Sequence, residues 1–208
     1  MWSISPAEGS SPRKTGTKVP TTRDVFVRDA SVGDADAIAA IGREAVPAQY
    51  AGLLDPAVMK ATMLQAYLPS ALVACIERCH GASDAFFLVA ERSRQVVGFL
   101  HFDSFGPEPE LHRLYVDSRN RGAGIGTLLM NALHGRLPAE SAYMLLVVAG
   151  NDRAVRFYER HGLHVAQVVD GLAYYSEHTG VVFPSNTRPF HPVLMRRRVS
   201  GSGTPADR

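Results

Sequence analysis

The sequence reads as an α/β protein of the α+β kind, with a mixed, mostly antiparallel central sheet of about seven strands flanked by about four helices. Three observations predict this. Short β-rich runs stand near both ends of the chain, apolar residues recur at helical spacing between them, and a single strand–helix–strand unit lies in the middle. With 208 residues, 46% hydrophobic and 20% charged, one globular domain of ordinary size is expected. A net charge of +2 is too small to point to a nucleic-acid or anionic-membrane partner, so neither is expected.

Val25-Phe26-Val27-Arg28 is the first strand. Ser31 or Asp34 caps a helix carrying Ile38, Ile41 and Ala45, which Pro47 ends or kinks. Asp55-Pro56 supplies a cap and a first-turn proline for a second helical stretch toward Cys79, interrupted at Pro69 and closed by Gly81. The period then becomes strand-like: Ala85 to Ala90 and Val96 to Phe102 flank a polar turn, and Glu110 to Val116 forms a third strand after Pro107 and Pro109. Ile125, Leu128, Leu129, Ala132 and Leu133 mark an amphipathic helix. Tyr143 to Val148, without alternation, is a strand buried on both faces. Asn151-Asp152 opens a helix with the inner stripe Ala154, Phe157, Tyr158 and His161, stopped by Gly162. Leu163 to Val169 and Pro192 to Val199 are the last strands, and 170–191 reads as a long functional or mobile loop.

Residues 1–23, rich in Ser, Pro, Gly, Thr and Lys and lacking a continuous apolar core, read as a disordered arm rather than a signal peptide. The domain then spans 24–199, and 200–208 form a flexible tail. Cys75 and Cys79, four apart on a helical pattern, read as reduced buried thiols, which suits a cytoplasmic protein. His161-x-x-His164 straddles a helix end and lacks further ligands at metal spacing, so no metal is expected. Discounting the tails, the domain is mildly acidic, yet 113–160 carries an excess of arginine, which suggests a small anionic ligand.

The informative stretch runs from Glu110 through Leu114-Tyr115-Val116 and Arg119 to Arg121-Gly122-Ala123-Gly124-Ile125-Gly126-Thr127. Glycines at a helix start bare the free N–H groups and the positive dipole end to an anion, making a phosphate cradle. A dinucleotide fingerprint requires glycine where Thr127 stands, and a P-loop requires a lysine that this segment lacks. The alternative is structural: the glycines permit close helix–sheet packing.

These residues resemble the GNAT superfamily of acyl-CoA-dependent N-acetyltransferases. Arg121-x-x-Gly124-x-Gly126 is similar to its pyrophosphate motif, Leu114-Tyr115-Val116 to its acyl-CoA strand, and Asn151-x-x-Ala154-x-x-Phe157-Tyr158-x-x-x-Gly162-Leu163 to its second cofactor segment. The resemblance implies the GNAT-like fold and acetyl-CoA as cofactor. It puts the N–H groups from Arg121 to Thr127 on the pyrophosphate, with Arg119 and Arg121 adding charge. Leu111, Leu114 and Val116 break strict alternation once, as the family's bulge in this strand would. Asn151 is implied to reach the pantetheine, and equally has a sufficient reason to exist as an N-cap. Phe157 lies in the same cofactor segment.

Tyr158 matches the family's general acid; without the resemblance it is an aromatic of the buried stripe. Phenol, with a pKa of about 10, is a weaker acid than a thiol at about 8.5, so hydrogen bonding to the departing thiolate suits it better than full proton transfer. Glu110, eleven residues before Arg121, stands where some members carry a carboxylate base, and is equally an exposed edge glutamate; His112 is the second candidate. The expected activity is acetyl transfer from acetyl-CoA to a primary amine of a small molecule or protein by direct attack in a ternary complex. The acceptor is expected between Tyr50–Leu54 and the loop carrying Tyr174, Tyr175 and Glu177. A silent acyl-CoA-binding or sensor module and a nucleotide-binding regulator are the rivals, and the sequence leaves room for a homodimer.

Overall fold

The computed structural model describes residues 22–52, 56–61, 63–180 and 182–197. The expected arm lies outside them except for Thr22 and Arg23, which with Asp24 form a 3₁₀ turn; the C-terminal tail, Asp55 and the end of the last strand also lie outside. Seven strands form one sheet in the order β1-β2-β3-β4-β5-β7-β6: β1 Val25–Asp29, β2 Phe86–Arg92, β3 Gln95–Asp103, β4 Glu110–Val116, β5 Met144–Val147, β6 Leu163–Val168 and β7 Val193–Arg197. All pairs are antiparallel except β4 with β5. That parallel pair aligns only at Glu110 and Met144, so the strands separate beyond this point and leave a gap in the sheet.

Side-chain alternation along the strands divides the core in two. Phe87, Val89 and Phe99 face α1 (Ala35–Gln49), a 3₁₀ segment at Met63–Tyr67 and α3 (Pro69–Cys79). Phe86, Leu88, Leu100 and Phe102 face α4 (Ile125–Arg136), whose Leu129, Met130 and Leu133 are fully buried. Burying each such side chain contributes about 1.5–3 kcal/mol, which anchors the helix whose N-terminus borders the gap. α5 (Asp152–Glu159) packs on this face through Ala154, Val155, Phe157 and Tyr158.

Three expectations need correction. Helix α1 runs through Pro47 to Gln49, with Tyr50 N–H bonding Val46 C=O at 3.1 Å, so the proline only removes one donor within it. The stretch from Pro56 to Cys79 is three pieces: α2 (Pro56–Ala61), the 3₁₀ segment and α3, with Pro69 as the first residue of α3 rather than a break inside a helix. The long segment 170–191 is not all loop. It contains α6 (Gly171–Thr179), started by Asp170, whose carboxylate accepts from the N–H groups of Leu172 (2.9 Å) and Ala173 (3.1 Å), and ended by left-handed Gly180. Cys75 and Cys79 are free; Cys79 is buried, which pushes its thiol pKa up to about 11, and Cys75 is half-buried.

Candidate functional site

The bulge foreshadowed by the parity slip is present in β4. His101 pairs with Arg113 and Phe102 with Leu111, leaving His112 as the extra residue. Leu111, Leu114 and Val116 therefore face α4, while Tyr115 packs into the α1/α3 core. Glu110, His112, Arg113 and Tyr115 share the opposite face, and two polar residues stand side by side at the point of irregularity.

Beyond β4 the chain makes a one-turn 3₁₀ segment, Ser118–Asn120, held by buried Asp117, and enters α4 through two left-handed glycines, Gly122 (φ 80°) and Gly124 (φ 78°). The first helical bond here runs from Leu128 N–H to Gly124 C=O at 3.1 Å, so the N–H groups at the start of α4 remain available to an external acceptor. Gly126 serves a different need: a Cβ there would stand 3.2 Å from Phe157 Cζ, so its absence lets α5 approach α4.

Between β4, β5, α4 and α5 opens a cleft of about 710 Å³. Leu114, Tyr115 and Val116 form one wall, Arg121, Gly122, Gly124, Ile125, Gly126 and Thr127 its glycine-rich end, and Asn151, Phe157 and Tyr158 the other side. Arg153 and Arg160 also line it, cations that the motifs did not single out. Asn151 is an N-cap, its Oδ1 accepting from Ala154 N–H at 3.1 Å, and it lines the cleft as well. Ala123 turns into the second core. Arg119 forks onto Asp117 (Nη2 to Oδ2 2.7 Å) with its side chain 83% exposed, outside the cleft lining. Tyr158 is half-buried, and burial raises its pKa above the ordinary phenol value.

A second cavity, of about 570 Å³, begins at the bulge: His112 lines both. Glu110, Tyr174 and Glu177 line the second one, together with Glu108, which is paired with Arg196. Glu110 accepts from the Tyr174 hydroxyl at 3.3 Å and lies 3.5 Å from His112 Nδ1, while His112 Nε2 lies 3.2 Å from Asp103. Burial would lower the His112 pKa, but the hydrogen bonds to Asp103 and Glu110 prevail and raise it to about 9. His101, stacked between Phe87 and His112, is pushed down to about 4 by burial. Tyr50 and Tyr175 bring the two expected acceptor segments together, their hydroxyls 2.9 Å apart, with Tyr50 buried. Asp103 and His101 were not singled out from sequence; the β3–β4 pairing that assembles them is a long-range feature with no local signal.

A cleft in a split sheet, bordered by a glycine-rich helix start with free N–H groups, defines a class of folds suited to an anionic cofactor. The acetyltransferase (GNAT) family model matches residues 58–163, and the chain belongs to that family. No curated protein matches it in sequence. Its fold is similar to that of PaiA N-acetyltransferase from Thermoplasma acidophilum, a coenzyme A complex, at TM-score 0.64 and 21% identity over 84% of this chain and 98% of that one. It is also similar to a ribosomal-protein-alanine N-acetyltransferase from Brucella melitensis (TM-score 0.56, 22% identity, 84% and 99% covered). An N-acetyltransferase from Staphylococcus aureus Mu50 is a further likeness (TM-score 0.58, 21% identity, 84% and 98% covered). No group of His, Cys, Asp and Glu able to hold a metal occurs among the described residues, and none of their helices is long and apolar enough to cross a membrane.

Proposed function

We propose that the protein transfers an acetyl group from acetyl-CoA to a primary amine by direct attack in a ternary complex. The observation that carries this reading is the meeting, at the β4 bulge, of a glycine-ended cleft with a cavity that holds a carboxylate. In this reading the N–H groups from Gly122 to Thr127 take the pyrophosphate, Arg121 supplies charge, and Leu114, Tyr115, Val116, Asn151 and Phe157 hold the pantetheine arm. Arg119, committed to Asp117, acts at most through the local field.

The amine nitrogen attacks the thioester carbonyl carbon, the C–S bond breaks, and the sulfur leaves as thiolate. A lysine-like ammonium, pKa about 10.4, costs about 4–5 kcal/mol to deprotonate at pH 7, so a base is required. Glu110 fits that role better than His112, which is already protonated at neutral pH with its ring nitrogens facing Glu110 and Asp103. Tyr158, whose raised pKa makes full transfer still more uphill, donates a hydrogen bond to the departing sulfur. Two free thiols fit a reducing, cytoplasmic setting.

A panel of primary amines incubated with acetyl-CoA, read by released thiol, tests the proposal. Amine-dependent release that Glu110→Gln reduces supports it; tight CoA binding with no release for any amine sinks it.

A further inference from the structure

The bulge places Arg113 beside His112 on the face under α1, the 3₁₀ segment and α3, where it lines the cleft. Arg121, Arg153 and Arg160, which also line the cleft, are exposed, whereas Arg113 is half-buried. Asp103 is engaged by His101 and His112, and Glu110 by His112 and Tyr174. Arg113 has no ion pair or hydrogen bond among the described residues, and its Nη1 is shielded from solvent without a partner. What holds it is a ring: the guanidinium carbon lies 5.0 Å from the centre of Tyr67. That ring is itself fixed, because a Cβ on Gly42 would come within 2.0 Å of Tyr67 Cδ1, and because it packs edge-on against Tyr115 at 6.2 Å.

A shielded guanidinium N–H without an acceptor is costly to a fold, and a planar fork of donors held by an aromatic ring is suited to an oxyanion. The pyrophosphate cradle does not supply one. The helix start that forms it packs on the other face of β4, where a Cβ on Gly126 would stand 3.6 Å from Leu114 Cδ2, whereas Arg113 lies over Tyr67 on the α1 side. Glu110 in the second cavity and the unpaired cation at Arg113, beside His112 where the cleft and that cavity meet, thus polarise the junction along the strand.

We infer that the acceptor is a zwitterion, an amine that also carries an oxyanion such as a carboxylate or phosphonate, with its amine toward Glu110 and its oxyanion on Arg113. This rests on the acetyltransferase reading above and specifies its substrate class.

The test compares an amino acid, its aminophosphonate analogue and its carboxamide, with the CoA-loaded protein, by calorimetric binding and by thiol release. Binding of the acid or the phosphonate at least about tenfold tighter than the amide is expected, and whichever of the two is preferred identifies the oxyanion. In Arg113→Met that preference collapses toward one, and in Arg113→Lys it is partly kept; circular dichroism checks that both variants fold. An amide that binds as well as the acid, or a preference that survives Arg113→Met, overturns the inference. The two failures separate: release with amines irrespective of an oxyanion overturns only the substrate class, while absence of release with any amine overturns the acetyltransferase reading and leaves the binding preference to be read by calorimetry.

Discussion

Replacing Gly124 by alanine probes the turn on which the whole cleft depends. Gly124 is the left-handed residue before α4, at φ 78°, and an added Cβ would stand 3.2 Å from Thr22 Cγ2. A side chain in the left-handed region costs about 1–2 kcal/mol, and the contact with Thr22 adds to it because that methyl must give by a few tenths of an ångström. Gly122, also left-handed at φ 80° but with nothing within 4 Å of an added Cβ, is the internal control and should show the conformational cost alone. In a domain of this size, 1–2 kcal/mol lowers the melting temperature by roughly 2–8 °C. Thermal unfolding, paired with calorimetric titration of CoA, should therefore rank Gly124→Ala below Gly122→Ala and both below the parent. Gly122→Asn should recover part of the loss, since asparagine tolerates this conformation. Equal melting temperatures for parent and Gly124→Ala, together with unchanged CoA affinity, would refute the argument that the glycines are there for backbone conformation.

Other expectations follow from particular contacts. Tyr158→Phe should lower kcat by roughly tenfold to hundredfold while leaving CoA affinity close to the parent's, as for a hydrogen bond made chiefly to the leaving sulfur; an equal loss in affinity would instead mark a packing role. Asp103→Asn removes one of the two carboxylates on His112, so an NMR titration should find the His112 pKa, raised to about 9 in the parent, falling toward 6.5. Because the raised pKa belongs to the folded state, its stabilisation is complete below about 6.5 and lost as pH rises through 9; Asp103→Asn should flatten stability across that window. Arg28 pairs with Asp34 and Glu91, each at 2.8 Å, and Arg28→Met should destabilise by about 1–3 kcal/mol at neutral pH by stranding two carboxylates. Asp34, held below the ordinary range chiefly by its hydrogen bond to Arg28, contributes stability above its unfolded pKa of about 3.9, lost as pH falls through its lower folded value. The deficit of Arg28→Met should therefore shrink in acid, as denaturant titrations at two pH values would show.

Local chemistry made much of this fold legible. The glycine-rich start of α4, the cap at Asn151 and the broken alternation in β4 are written in adjacent residues, and each has its structural counterpart. Helix α6 was hidden because Gly171, two tyrosines, Ser176 and Thr179 depress helix propensity, although Asp170 and Gly180 stand as its two caps. Pro47 misled because a proline late in a helix removes only one hydrogen bond and burial of Val46 and Tyr50 holds the turn. Glu110 and His112, two apart on one strand, were legible together, but Asp103 reaches His112 only through strand pairing and Tyr174 reaches Glu110 from a helix that the sequence concealed.

Direct transfer in a ternary complex is tested most directly by one turnover with acetyl-CoA labelled in its acetyl group, quenched at intervals and resolved into protein and small-molecule fractions. The label should pass to the amine nitrogen at the rate at which free thiol appears, with none held covalently by the protein. Label accumulating on the protein before the amide forms, or thiol released without amide, would contradict it.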